Sequence, residues 1–171
     1  QMDILFERSA RICRDFLVEF GEAELRAEQF LDDGSPIVAT IWIKDGRATF
    51  DFSGTAPRQS GNLNATAAIT RSVVVYVLRL LAGKEAPLNE GFLAPVEILI
   101  PEDSLLAPLF AETPAEAPAV AGGNVETSQR LVELFLRAAG AYASSQGTMN
   151  NLTIGGLDHR THPPHVFAYY E

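Results

Sequence analysis

IVATIWIKDGRATFDF, residues 37–52, holds two alternating apolar runs separated by Lys44-Asp45-Gly46-Arg47. Asp-Gly between such runs marks a two-residue hairpin turn, because both turn positions need positive φ. In the second arm Ala48, Phe50 and Phe52 point one way, Thr49 and Asp51 the other. Upstream, Ala23, Leu25 and Ala27 alternate with Glu24, Arg26 and Glu28, the period of a half-buried strand. Three sequential strands are therefore expected before residue 53.

Working outward, Phe6, Ala10, Cys13, Leu17 and Phe20 recur at steps of four and three. That is an amphipathic helix, ended by Gly21. Residues 53–64 form a Gly/Pro/Ser/Asn-rich loop. Residues 65–81 read as a second helix, with Ile69, Val73, Tyr76 and Leu80 as its core stripe and neighbouring valines and leucines widening it. PVEILI (95–100) is a strand. Residues 101–121, with four of the ten prolines, form a long connection of the kind that serves function or packs on a partner.

A third helix is expected over 125–143, capped by Asn124. Glu126, Arg130, Glu133 and Arg137 share one face, and two Glu-to-Arg pairs there would add about 0.3 kcal/mol each. NLTI (151–154) and HVFAYY (165–170) read as closing strands. The order of elements fits neither strict βαβ alternation nor an all-β chain. The class is α+β, a mixed sheet with an Asp-Gly hairpin and about three helices. The 171 residues suit a single region. Gln1 ahead of Met2, and a stop directly after HVFAYY, are expected of a fragment of a larger subunit.

The formal net charge of −9 comes with no Lys/Arg cluster, which sets nucleic acid aside as a partner. No apolar run approaches the ~20 residues of a membrane span. The single cysteine, Cys13, excludes an internal disulfide and suits a reducing, cytoplasmic setting. It lies on the apolar stripe of the first helix and is expected in the core.

Glycines and side-chain amides gather at GNLNA (61–65), GGNVETSQR (122–130) and SQGTMNN (145–151). The last carries five neutral polar side chains and no charge. Two readings stand side by side: these groups tie down bends and helix ends, or they line a site for an uncharged polar ligand. Substrate-binding candidates are Asn62, Asn64, Asn124, Gln129, Gln146, Thr148, Asn150 and Asn151. Glu126, Thr127 and Ser128 are the catalytic candidates, Glu126 as general base or as a first-turn glutamate favoured by the helix dipole. His159, His162 and His165 beside Asp158 give a metal alternative. Pro163 and Pro164 forbid a helix there, so the reading preferred is a solvated loop without metal.

DFSGT (51–55), GNLNA (61–65), ITRSVVVYVLR (69–79), PLNEG (87–91), PEDSLL (101–106), GGNVETSQR (122–130) and SQGTMNNLTIGG (145–156) stand in one order and spacing. With these blocks the chain resembles the hydantoinase B / 5-oxoprolinase family, which includes N-methylhydantoinase B and the large subunits of ATP-dependent acetone and acetophenone carboxylases. The resemblance runs through nearly everything from Ala27 onward. It departs at Ala107-Pro108, where the family tends to Asn-Pro, and at a longer LFAETPAEAPA (109–119).

The resemblance implies a segment of the B-type subunit of an ATP-dependent cyclic-amide hydrolase that opens a hydantoin or 5-oxoproline ring. It implies an actin-like ATPase subunit or domain of the hydantoinase A type as partner, and a small cyclic amide as substrate. No cofactor is expected on this segment; ATP and a divalent metal are expected in the complete enzyme, with the metal residues upstream of Gln1. Alone, the segment is expected to be inactive. The alternatives are a ketone carboxylase segment and a non-catalytic subunit-assembly module.

Overall fold

The computed structural model describes residues 2–83, 87, 89–144, 147, 148 and 152–170. In chain order its elements are α1 (Met2–Phe20), β1 (Ala23–Phe30), β2 (Pro36–Lys44), β3 (Arg47–Asp51), α2 (Ala67–Ala82), β4 (Val96–Leu99), α3 (Glu126–Ala138), β5 (Thr153–Asp158) and β6 (His165–Tyr170). This is the α+β arrangement expected from the sequence.

One sheet has the order β1-β2-β3-β4. Its first two pairings are antiparallel, and β4 lies parallel to β3 after the α2 crossover. The β2–β3 turn has Asp45 at φ 50° and Gly46 at φ 69°, as the Asp-Gly pair requires. The register places Leu25, Ile41, Phe50 and Ile98 in one row across the sheet. These residues belong to the single apolar core or pack against it, with Cys13 and Leu17 of α1, Val73, Val74 and Val77 of α2, and Leu131, Leu134 and Phe135 of α3. Phe135 meets Phe50 and Phe52 edge-on, at ring-centroid distances of 5.3 and 5.9 Å. Each such buried side chain contributes about 1.5–3 kcal/mol. The neighbouring row, Glu24, Trp42, Thr49 and Glu97, faces away from the core. There Thr49 Oγ1 donates to Glu97 Oε2 at 3.3 Å.

Several details differ from the sequence reading. At the ends of the expected α1 stripe Phe6 and Phe20 are 45% and 37% exposed, and the buried residues are Ser9, Ala10, Cys13 and Leu17. The buried side of α2 is Thr70, Val73, Val74, Val77 and Leu78, whereas Tyr76 and Leu80 are 56% and 41% exposed. The helix was broad enough in apolar residues that periodicity alone chose the wrong edge of the stripe. Asn124 is not the cap of α3. It closes a 3-10 turn over Gly122–Asn124, and Val125 takes the cap position without a side-chain hydrogen bond. The helix also ends at Ala138 rather than near 143, with Gly140 at φ 64° just beyond it.

The connection after β4 is anchored rather than loose. Leu105 and Leu106 are fully buried, and Ser104 bridges to Pro57 and Ala107. The closing strands β5 and β6 pair with each other as a separate two-stranded ribbon, with Gly156 opposite Phe167. Among the described residues, no helix is long and apolar enough to cross a membrane.

Candidate functional site around the start of helix α3

The 61–65 and 122–130 stretches meet at the first turns of α3, and of the 145–151 stretch the described residues Gly147 and Thr148 reach the same helix. The junction is built mainly from backbone. Asn64, with no exposed surface, accepts from Gln59 N at 2.7 Å through Oδ1. Its Nδ2 donates to the carbonyls of Gln59, Gly61 and Ala119, each at 3.0 Å. Gly122 N donates to Asn62 O at 2.8 Å, and Ala65 N donates to Leu105 O at 2.7 Å. Thr127 is buried and its hydroxyl donates to Leu63 O. Gly123 is required by this closeness: a Cβ there would lie 2.6 Å from the Asn64 carbonyl carbon and 2.7 Å from Ala65 Cα.

Asn64 and Thr127 therefore spend their polar atoms on the fold, because each buried donor and acceptor must be paired. They are not available to a ligand. The other described candidates divide between two clefts on either side of α3. Asn124, Ser128 and Gln129 line one, together with Ile69, Ser72 and Tyr76 of α2. Ser128 Oγ reaches back to the carbonyls of Asn124 (2.9 Å) and Val125 (3.1 Å). Glu126 and Thr148 line the other, with Asp32, Leu63 and Arg130. Asn62 is exposed beside the junction. Gln146, Asn150 and Asn151 lie outside the described residues.

Of the third stretch, the described residues Gly147 and Thr148 each bond to α3. Gly147 N donates to Glu133 Oε1 at 3.0 Å, and the Thr148 hydroxyl donates to the Glu126 carboxylate. Arg130 lies over the Gly147 backbone, where an added Cβ would come within 2.9 Å of Nε. Arg130 also pairs with Asp32 at 2.9 Å and donates to Phe30 O at 3.4 Å. Arg137 donates to Glu28 O. The charged row read along α3 thus ties the helix to β1, to the following loop and to the turn after 144. Asp32 and Glu133 were missed as members of this region, and Arg130 and Gly147, inside the stretches singled out, were not recognised as its contacts. Helical spacing placed the charges on one face but carried no sign of their distant partners.

The three histidines sit on exposed positions between and within β5 and β6, where His165 Nδ1 is 2.9 Å from Thr161 Oγ1. Among the described residues no group of three or more His, Cys, Asp or Glu side chains is placed to hold a metal ion. Asp158 is held below the usual carboxylate range by the Arg160 guanidinium, at 2.7 Å, and by the Arg160 N–H. The loop carboxylate is thereby engaged with its own neighbour. Cys13 is fully buried in the core.

The chain matches the Hydantoinase B/oxoprolinase family over residues 1–171 and belongs to it. It is 47% identical over 149 residues to 5-oxoprolinase 1 of Arabidopsis thaliana, covering 86% of this chain and 11% of that protein. It is 44% identical over 138 residues to the 5-oxoprolinase of Saccharomyces cerevisiae, covering 80% of this chain and 10% of that one. The chain therefore spans about a tenth of these relatives. The fold is also similar to that of an ATP-dependent caprolactamase from Pseudomonas jessenii, with a TM-score of 0.69 at 22% identity, over 94% of this chain and 29% of that chain.

Proposed function

We propose that the chain is a segment of the B-type subunit of an ATP-dependent cyclic-amide hydrolase, acting on a hydantoin or 5-oxoproline ring. The observation that carries this reading is the similarity to 5-oxoprolinases across four-fifths or more of the chain. The clefts beside α3 support it chemically. A cyclic amide offers a neutral N–H and C=O, and Asn124, Ser128 and Gln129 offer neutral partners that hold their protonation at any working pH. A polar site of this type discriminates against analogues that lack the matching group, since its own groups would be left unpaired. The second cleft lies on the other side of α3, so Glu126 is a base only for an amide bound in that cleft, where Arg130 would face the developing negative charge; it does not act on a ring held by Asn124 and Gln129.

In this reading an actin-like ATPase subunit or domain of the hydantoinase A type activates the amide oxygen with ATP in the cytoplasm. A divalent metal in the complete enzyme would be held by residues outside this chain, so no step here runs through one. The test is hydrolysis by the complete enzyme with ATP and either 5-oxoproline or hydantoin. ATP-dependent ring opening is expected, with none from the 171-residue chain alone. Ring opening by the isolated chain, or bicarbonate-dependent carboxylation of a ketone in its place, contradicts the reading.

A further inference from the structure

An open groove on α2 adjoins the Asn124 cleft, with which it shares Ser72 and Tyr76. It has a volume of about 930 Å³ and is walled by α2 and by the turn before β4. Tyr76, Leu80 and Leu93 supply its apolar lining, and Arg71, Arg79 and Glu90 its charges. Arg71 and Glu90 satisfy each other at 3.2 Å. Arg79 does not share in that pair: its Nη1 is buried and, among the described residues, has no hydrogen-bond partner. A buried guanidinium N–H without an acceptor costs stability, and an incoming carboxylate would recover it. Exposed Tyr76 and Leu80, in the middle of an otherwise well-packed helix, point to a cover of the same amphipathic kind.

We propose that this groove receives another segment of the same, longer polypeptide, one that lays apolar side chains on Tyr76, Leu80 and Leu93 and brings a carboxylate to Arg79. Two observations favour this occupant. The groove's unpaired charge is positive, although the chain as a whole carries −9. The relatives that match four-fifths or more of this chain continue for about nine-tenths of their length outside it, and a polypeptide of that length would itself supply most of the surface within reach. Ser72 and Tyr76 also line the Asn124 cleft, but the docking argument rests on Arg79, Leu80 and Leu93, which line this groove and not that cleft.

The experiment places a photo-cross-linking amino acid at Tyr76 in the full-length polypeptide and maps the products by mass spectrometry. The expected product joins Tyr76 to a residue outside 1–171 of the same molecule, close in sequence to an Asp or Glu. A product joining two copies, a product with a separate ATPase subunit, or no product at all overturns the proposal. A second measurement uses Ser72→Cys, whose side chain lines the groove. Adding Arg79→Glu should speed its alkylation about tenfold or more, as expected if docking were weakened by ~1.4 kcal/mol. Equal rates with and without Arg79→Glu also overturn it.

Discussion

Asn64 Nδ2 and the carbonyl oxygen of Ala119 lie 3.0 Å apart, although 55 residues separate them in the chain. This bond closes the loop before α2 onto the end of the proline-rich connection. It also fixes the direction from which the chain enters α3. Asn64→Ala would leave the Gln59 amide without its acceptor and three carbonyls without a donor. A loss of about 2–4 kcal/mol is expected, beyond that of one buried group left unpaired. Thermal or urea unfolding of the variant measures it. A melting temperature unchanged from the parent would mean that Asn64 is not the linchpin of this junction.

Glycine positions make a sharper comparison. Gly123→Ala pushes a methyl group onto backbone that cannot yield, and should cost about 3 kcal/mol or more. Gly61→Ala, at a glycine with nothing within 4 Å of its added Cβ, should stay within about 0.5 kcal/mol. Equal effects at the two positions would contradict the close approach of the 61–65 and 122–124 segments.

Burial pushes the Cys13 thiol from its ordinary 9.0 up to about 12, with nearby Arg14 opposing weakly. The folded chain therefore holds this proton longer than the unfolded chain does. Its contribution to stability is fully present below about pH 9 and is lost as pH rises towards about 12. Melting temperature should fall more steeply with pH across that window in the parent than in Cys13→Ala. Parallel curves would show that the thiol does not face a low-dielectric core.

Local chemistry made most of the fold legible. The Asp45-Gly46 turn, the alternation of β1 and β3, and the Ala10-Cys13-Leu17 stripe each follow from short-range rules, and each stands where those rules put it. The edge of α2 did not, because Val74, Val77 and Leu78 compete with Tyr76 and Leu80 for the core, and only the packed sheet decides between them. Asn124 had the composition of a cap, but the 3-10 turn at Gly122–Asn124 displaced the helix start by one residue. The junction itself could be suspected only from the clustering of glycines and amides. The bonds that join its segments, from Asn64 to Ala119, Thr127 to Leu63 and Gly122 to Asn62, run to backbone carbonyls far away in sequence, which leaves no periodic trace. The same holds for Glu133 and Gly147, which spacing assigned to a surface charge row and a loop.

Glu133→Ala removes the acceptor of Gly147 N and releases the turn that carries Thr148. In the complete enzyme a stability loss of about 1–3 kcal/mol is expected. A fall in turnover should accompany it, because the Glu126 side of the α3 clefts loses its fixed neighbour. Glu133→Gln keeps an acceptor oxygen in place and should restore most of both. If Gln rescues neither, the carboxylate is not acting through the Gly147 contact.

The central claim is that neutral groups at the start of α3 bind the substrate as well as shape the fold. Steady-state kinetics of Asn124→Ala and Gln129→Ala in the complete enzyme, with ATP and 5-oxoproline or hydantoin, tests it most directly. A drop in kcat/KM of about tenfold or more, each tenfold being ~1.4 kcal/mol of lost transition-state binding, is expected at an unchanged melting temperature. Full turnover with a lowered melting temperature would assign both side chains to the architecture and remove the α3 clefts from the catalytic account.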